Sequence, residues 1–211
     1  MDNVRQYGWR LHKSRTSSGM VRVEQMIVAT GQTFPINGGA QTPSLRTGDL
    51  VCKLAGGGAG PCDGTEGGAG ATAPWGVVVG IGPQWSAALG KMISADKLAS
   101  GIAWGTNLGR QSTISIIRVE DGVWEVDCDD KVTATTEALY QAMIGEGVNM
   151  VNQGAASEDA IDPILDISSI AHAGTEMWQI TGISPTRANR DFSGLYVKLL
   201  VENQVRQYSP I

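Results

Sequence analysis

Apolar residues fall into short runs separated by glycine, proline and small polar residues, and many of the runs alternate with a period of two. That is the pattern of strands rather than helices. Residues 75–82, WGVVVGIG, hold three consecutive valines between glycines. This stretch suits either a central antiparallel strand or the first strand and turn of a dinucleotide-binding unit. Residues 20–30 and 49–55 (DLVCKLA) predict strands before it, and 164–170, 177–183 and 195–203 predict three more after it. In the last of these Leu195, Val197, Leu199 and Val201 alternate with Tyr196, Lys198 and Glu202, while Leu200 joins the outward row. Residues 112–119 (STISIIRV) and 123–128 (VWEVDC) predict a hairpin turned by Glu120-Asp121-Gly122. Its second strand puts Trp124, Val126 and Cys128 on a buried face and Glu125 and Asp127 on a wet one.

One stretch has helical spacing. In residues 133–144 Leu139 and Met143, and Tyr140 and Ile144, recur four apart; Thr133 or Thr135 is placed to cap, and Gly145 and Gly147 end the run. Residues 31–48 predict a loop. Residues 56–74 carry eight glycines and no large apolar side chain, and predict a mobile hairpin loop. Residues 83–111 predict an irregular connection packed by Trp85 and Trp104, with a helical turn at 94–99. Strands far outnumber helices and are not interleaved as βαβ units. The prediction is all-β: an antiparallel sandwich or barrel-like body with one or two short helices.

The nucleotide reading of 75–82 fails on its own terms. Gly80 and Gly82 fit the fingerprint, but Trp85 stands where a third glycine must let the helix approach. No phosphate-cradling loop follows at Gly90-Lys91 either, so no cofactor is expected. Of two histidines, His12 lies near the N-terminus and His172 in a small loop, and neither belongs to a hydrolase or zinc motif. Glu120, Asp121, Glu125, Asp127, Asp129 and Asp130 place six carboxylates in eleven residues with no base among them. A calcium loop starting at Asp127 fails because Val132 replaces the required glycine and Ala138 the closing glutamate. The cluster reads as a solvated strand face or the acidic half of a subunit contact, with a non-standard calcium site as the lesser alternative, and no metal or catalytic residue is expected.

Composition changes the picture in two ways. The 211 residues are 42% hydrophobic but only 18% charged, a surface suited to packing against other proteins. Net charge is −5 and the pI about 5.0, so direct nucleic-acid binding is not expected. Residues 1–22 run against this balance: Arg5, Arg10, Lys13, Arg15 and Arg22 oppose only Asp2, with Tyr7 and Trp9 between. The chain therefore divides into an extended basic arm, residues 1–22, and a single β-rich body, residues 23–211. The arm reads as a frayed terminus, a segment ordered against an acidic neighbouring subunit, or a nucleic-acid arm. For the second reading Arg5, Trp9, Arg10, Lys13 and Arg15 are the candidate interface residues. No apolar run of bilayer length and no signal-peptide pattern is present, so no membrane is expected. Cys52, Cys62 and Cys128 form an odd set; free thiols in a reducing compartment are the expectation, with a Cys52–Cys62 bridge as the alternative.

The order of segments resembles a known family. Gly48-Asp49-Leu50-Val51, the glycine-rich loop, Pro74 to Gly80, Val123 to Asp127, Leu165 to Ser168, Trp178 to Ile183 and Gly194 to Val201 are similar, in that order, to tailed-bacteriophage head decoration proteins. These are auxiliary, or cement, proteins that coat the assembled capsid. The similarity spans roughly residues 20–205; the alanine-rich 133–147 region and the tryptophan-rich 83–111 connection depart from it. It implies a β-rich fold without enzymatic activity. It also implies binding to the major capsid protein as a homo-oligomer, often a trimer, on the outside of a virion assembled in the host cytoplasm. Two further readings remain open. One is a tail, fibre or adsorption protein binding host glycans through exposed tryptophans. The other is a hydrolase using carboxylates such as Glu125 or Asp127.

Overall fold

The computed structural model describes residues 8–28, 34–36, 39–41, 45–53, 58–62, 74–86, 91–93, 97–98, 113–129, 136–152, 163–171, 176–185, 192 and 196–204. Eleven strands build two antiparallel sheets. They are β1 (Arg10–Ser14), β2 (Val23–Ile27), β3 (Leu50–Lys53), β4 (Ala59–Pro61), β5 (Pro74–Ile81), β6 (Thr113–Arg118), β7 (Gly122–Asp127), β8 (Gly147–Asn152), β9 (Pro163–Ala171), β10 (Trp178–Ile183) and β11 (Lys198–Asn203). One sheet has the order β1-β7-β11-β10-β8-β9, the other β2-β6-β5-β3-β4. The all-β expectation holds, and of its two forms the sandwich is the one present. Cys128, just after β7, makes a parallel bridge to Leu165 on the terminal β9, and Val28, just after β2, makes one to Ala59 on β4, but neither bridge closes a barrel. Small two-stranded ladders pair Phe34–Ile36 with Gly39–Gln41, Gln84–Ser86 with Lys91–Ile93, and Leu45–Arg46 with Lys97–Leu98.

The run at 75–82 fails to alternate because the first half of β5, Pro74–Val78, is covered on both faces. Val77 joins the main core with Trp124, Trp178, Leu199 and Val201, whereas Val78 joins a second core with Leu45, Val51, Ile114 and Ile116. A strand flanked by β6 and β3 and buried on both sides has no wet face to carry polar residues. Each such valine stabilises the fold by about 1.5–3 kcal/mol.

The predicted hairpin at 112–128 is not one. β6 pairs with β2 and β5, while β7 pairs with β1 and β11 in the other sheet. A 3₁₀ turn at Val119–Asp121 carries the chain across the sandwich. The Trp124 indole N–H donates to the Val119 carbonyl at 2.8 Å, inside the protein, and holds that crossing. The predicted wet face of β7 is also corrected: all six of its residues are buried, Glu125 and Asp127 included.

The helix is shorter than its period implies. α1 (Glu137–Ala142) starts after Thr136, whose extended backbone makes it the N-cap; Thr133 and Thr135 lie outside the described residues. Tyr140 is buried and Met143 packs on the core, but Leu139 and Ile144 are exposed, so only part of the apolar stripe is used. Gly145 ends the helix with φ +98° and donates its N–H to the Ile180 carbonyl at 2.8 Å.

The expectation of free thiols is corrected for two of the three cysteines. Cys52 and Cys62 form a disulfide with their Cα atoms 5.4 Å apart, and Cys128 is a free buried thiol. The cause is the β3–β4 ladder, which puts Cys52 opposite Gly60 and directs the Cys62 N–H to the Leu50 carbonyl at 3.0 Å. The described part of the glycine-rich stretch is thereby a strand; residues 63–73 lie outside the described residues.

Candidate interface

From Gly8 onward the predicted arm is built into the body. β1 pairs antiparallel with β7, Arg10 opposite Glu125 and Lys13 opposite Val123, with a bulge between Leu11 and Lys13. Trp9, just before the strand, is buried in the main core, its ring 4.4 Å from that of Trp178. It is anchored by its N–H, which donates to the Gly48 carbonyl at 2.7 Å. Trp9 is therefore a core residue rather than a surface contact. Arg10 and Lys13 are exposed on the sheet edge with His12. Arg15 forms an ion pair with Glu202 at 3.1 Å, and its N–H donates to the Asp121 carbonyl at 2.8 Å. Arg5 lies outside the described residues.

The acidic strand expected to receive a neighbour's arm instead lies beside β1 of the same chain. Its carboxylates are turned inward. Glu125 accepts a hydrogen bond from the Ser184 hydroxyl, Asp127 is ion-paired with Lys198 at 3.1 Å, and Asp129 accepts the Ile167 N–H at 3.2 Å. Both members of the Lys198–Asp127 pair are buried, and they are direct cross-strand partners on β11 and β7. Removing one member of such a pair costs far more than the pair contributes, because the other is left as an uncompensated buried charge. Sequence reasoning missed it because Lys198 sits on what reads as the outward row of its strand. The cue was Leu200 in the same row, an apolar residue out of place on a wet face.

Two other features were not foreseen. Trp75 lies beneath the Lys53 ammonium at 5.0 Å and the Arg118 guanidinium at 4.5 Å, and Arg118 also reaches Glu120 at 2.9 Å. This row across β3, β5 and β6 covers the rim of the second core with charge while keeping the indole dry. Burial, and then the neighbouring Asp129 charge, pushes the Cys128 thiol up to about 12, so it is no nucleophile at neutral pH. Burial likewise raises the Tyr140 hydroxyl. Among the described residues no three His, Cys, Asp or Glu side chains are grouped to hold a metal ion, and no helix is long and apolar enough to cross a membrane. His172 and Asp130 lie outside the described residues.

No family model, no curated protein and no solved structure matches the chain.

Proposed function

We propose that this chain is a non-enzymatic virion protein, a head decoration protein that binds the outside of an assembled phage capsid and bridges its capsomers as a homo-oligomer. The observation that carries this reading is the disposition of the polar groups. Glu125, Asp127, Asp129, Lys198 and Cys128 are all buried, while the exposed edge of the same sheet presents Arg10, Lys13 and Arg15. These three carboxylates, the lysine and the thiol face inward, while the cations of the edge face out. The segments that resemble the decoration family lie on β3, β5, β7, β9, β10 and β11, so the likeness concerns the rigid frame. A protein that binds only the assembled shell stabilises it by mass action, without any reaction.

The glycan-binding alternative loses its basis in four of the six tryptophans, because Trp9, Trp75, Trp124 and Trp178 are buried and offer no stacking platform. The deciding experiment adds purified protein to cognate heads that lack it. Saturable co-sedimentation with whole heads, absent with unassembled capsid subunits, and a higher head-disruption temperature are the expected results. Failure to bind intact heads would overturn the proposal.

A further inference from the structure

Among the described residues, the large apolar side chains left in water are concentrated in two places. On the turn before β2 and on β2 itself, Met20, Val23 and Ile27 are 74%, 55% and 44% exposed. On α1 and the turn after it, Leu139 and Ile144 are 45% and 46% exposed. The remaining one, Val79, lies two strands from β2 in the same sheet. The two patches belong to different sheets: β2 is the terminal strand of the five-stranded sheet, whereas α1 is tied to the six-stranded one through Gly145 and Ile180.

Their charges are opposite. Residues 8–23 contain no acid and carry Arg10, Lys13, Arg15 and Arg22. The Thr16 hydroxyl donates to the Met20 carbonyl within the turn that joins β1 to β2, and Arg15 and Arg22 stand at the two ends of that turn in sequence. Arg22 reaches Glu24 at 3.6 Å and Arg15 reaches Glu202 at 3.1 Å, both pairs of the weak surface kind. Residues 136–152 contain no cation and carry Glu137 and Glu146. Glu137 is exposed at the start of α1, where the Gln141 amide donates to it at 3.1 Å.

We infer that the two patches meet between copies of this chain: the β2 patch of one copy seats on the α1 patch of the next. The inference rests on the homo-oligomer reading above and names the surfaces that make it. Apolar residues meet apolar residues, and a basic rim meets an acidic one, which sets register and suppresses wrong docking. Pairing the β2 patch with its own copy would bring cations against cations, so the unlike pairing is favoured. Such a contact is heterologous: every copy uses both surfaces, and repetition closes into a ring where the rotation between copies returns to the start.

The test uses two full-length variants, Val23→Asp with Ile27→Asp, and Leu139→Asp with Ile144→Asp. Native mass spectrometry and light scattering read their association, and circular dichroism checks that each stays folded. Each variant alone is expected to be monomeric where the wild type is oligomeric, with association weakened about 100-fold, since a charge in a contact centre removes a hot spot. Mixed one to one, they are expected to form a two-copy species, because each retains the half the other lacks. A wild-type oligomer indifferent to both variants overturns this contact and leaves the homo-oligomer reading intact. Two monomeric variants that fail to combine also overturn it. A monomeric wild type that still binds heads overturns the contact and the homo-oligomer together, while head decoration stands.

Discussion

Cys128 ends β7 with its thiol inside the main core, beside Asp129 and Tyr140. Burial, with Asp129 second, raises it from 9.0 to about 12, and Tyr140 moves in the same direction. The consequence is alkaline instability. Below pH 9 both states hold the thiol proton and stability does not change on its account. Between about 9 and 12 the unfolded chain releases the proton while the folded chain retains it, so stability falls with rising pH by up to about 1.4 kcal/mol per unit for one group. Urea midpoints at pH 8, 9, 10 and 11 should fall steeply for the wild type and less steeply for Cys128→Ala; parallel curves would show that Cys128 is not the group responsible. The burial of this thiol was legible from its place in the row of Trp124 and Val126. The burial of Asp127 in the opposite row was not. Alternation describes one strand at a time, and the group that admits this carboxylate to the interior, Lys198, arrives from a distant strand.

At the scale of elements, the junction of β1 with β3 depends on two glycines. Gly8 has φ +81° and Gly48 φ +98°, and a Cβ on Gly8 would lie 2.8 Å from the Gly48 Cα. The same turn carries the Trp9 N–H to the Gly48 carbonyl and the Gly48 N–H to the Val78 carbonyl, each at 2.7 Å. These bonds fix where the six-stranded sheet sits against the other. Gly145 has the same φ of +98° but nothing within 4 Å of a Cβ, so it isolates the backbone cost from the packing cost. Gly145→Ala is expected to lower stability by about 1 kcal/mol, the left-handed penalty alone. Gly8→Ala adds a backbone collision and is expected to cost about 3 kcal/mol or more. Chemical denaturation of the two variants checks the ordering, and equal losses would show that the close approach is not a constraint. Gly8 was not singled out in the sequence, because a packing contact between distant turns leaves no local pattern. The Glu120-Asp121-Gly122 turn misled for a related reason. Turn chemistry reports that the chain reverses, not which sheet receives the next strand, and here the 3₁₀ turn hands it to the opposite one.

For the whole molecule, the question is whether the basic edge serves folding alone or also the adhesion proposed above. β1 supplies a terminal strand, and Trp9 supplies a core ring stacked at a tilt on Trp178. The outward residues Arg10 and Lys13 do neither, and the ion pair of Arg15 with Glu202 lies at an exposed site. Truncation therefore mixes two effects, since removing residues 1–14 takes away a strand and a buried tryptophan, a loss of about 3–5 kcal/mol for the ring alone. Charge removal separates them. Arg10→Ala, Lys13→Ala and Arg15→Ala together are expected to leave the melting temperature nearly unchanged, because exposed substitutions and exposed ion pairs contribute little. Occupancy on intact heads should nevertheless fall about tenfold or more, since charges on a contact act on encounter and register rather than on the fold. The measurement is a binding isotherm on heads, run beside a thermal melt of the same preparation. Unchanged occupancy with an unchanged melt would show that β1 serves the fold alone.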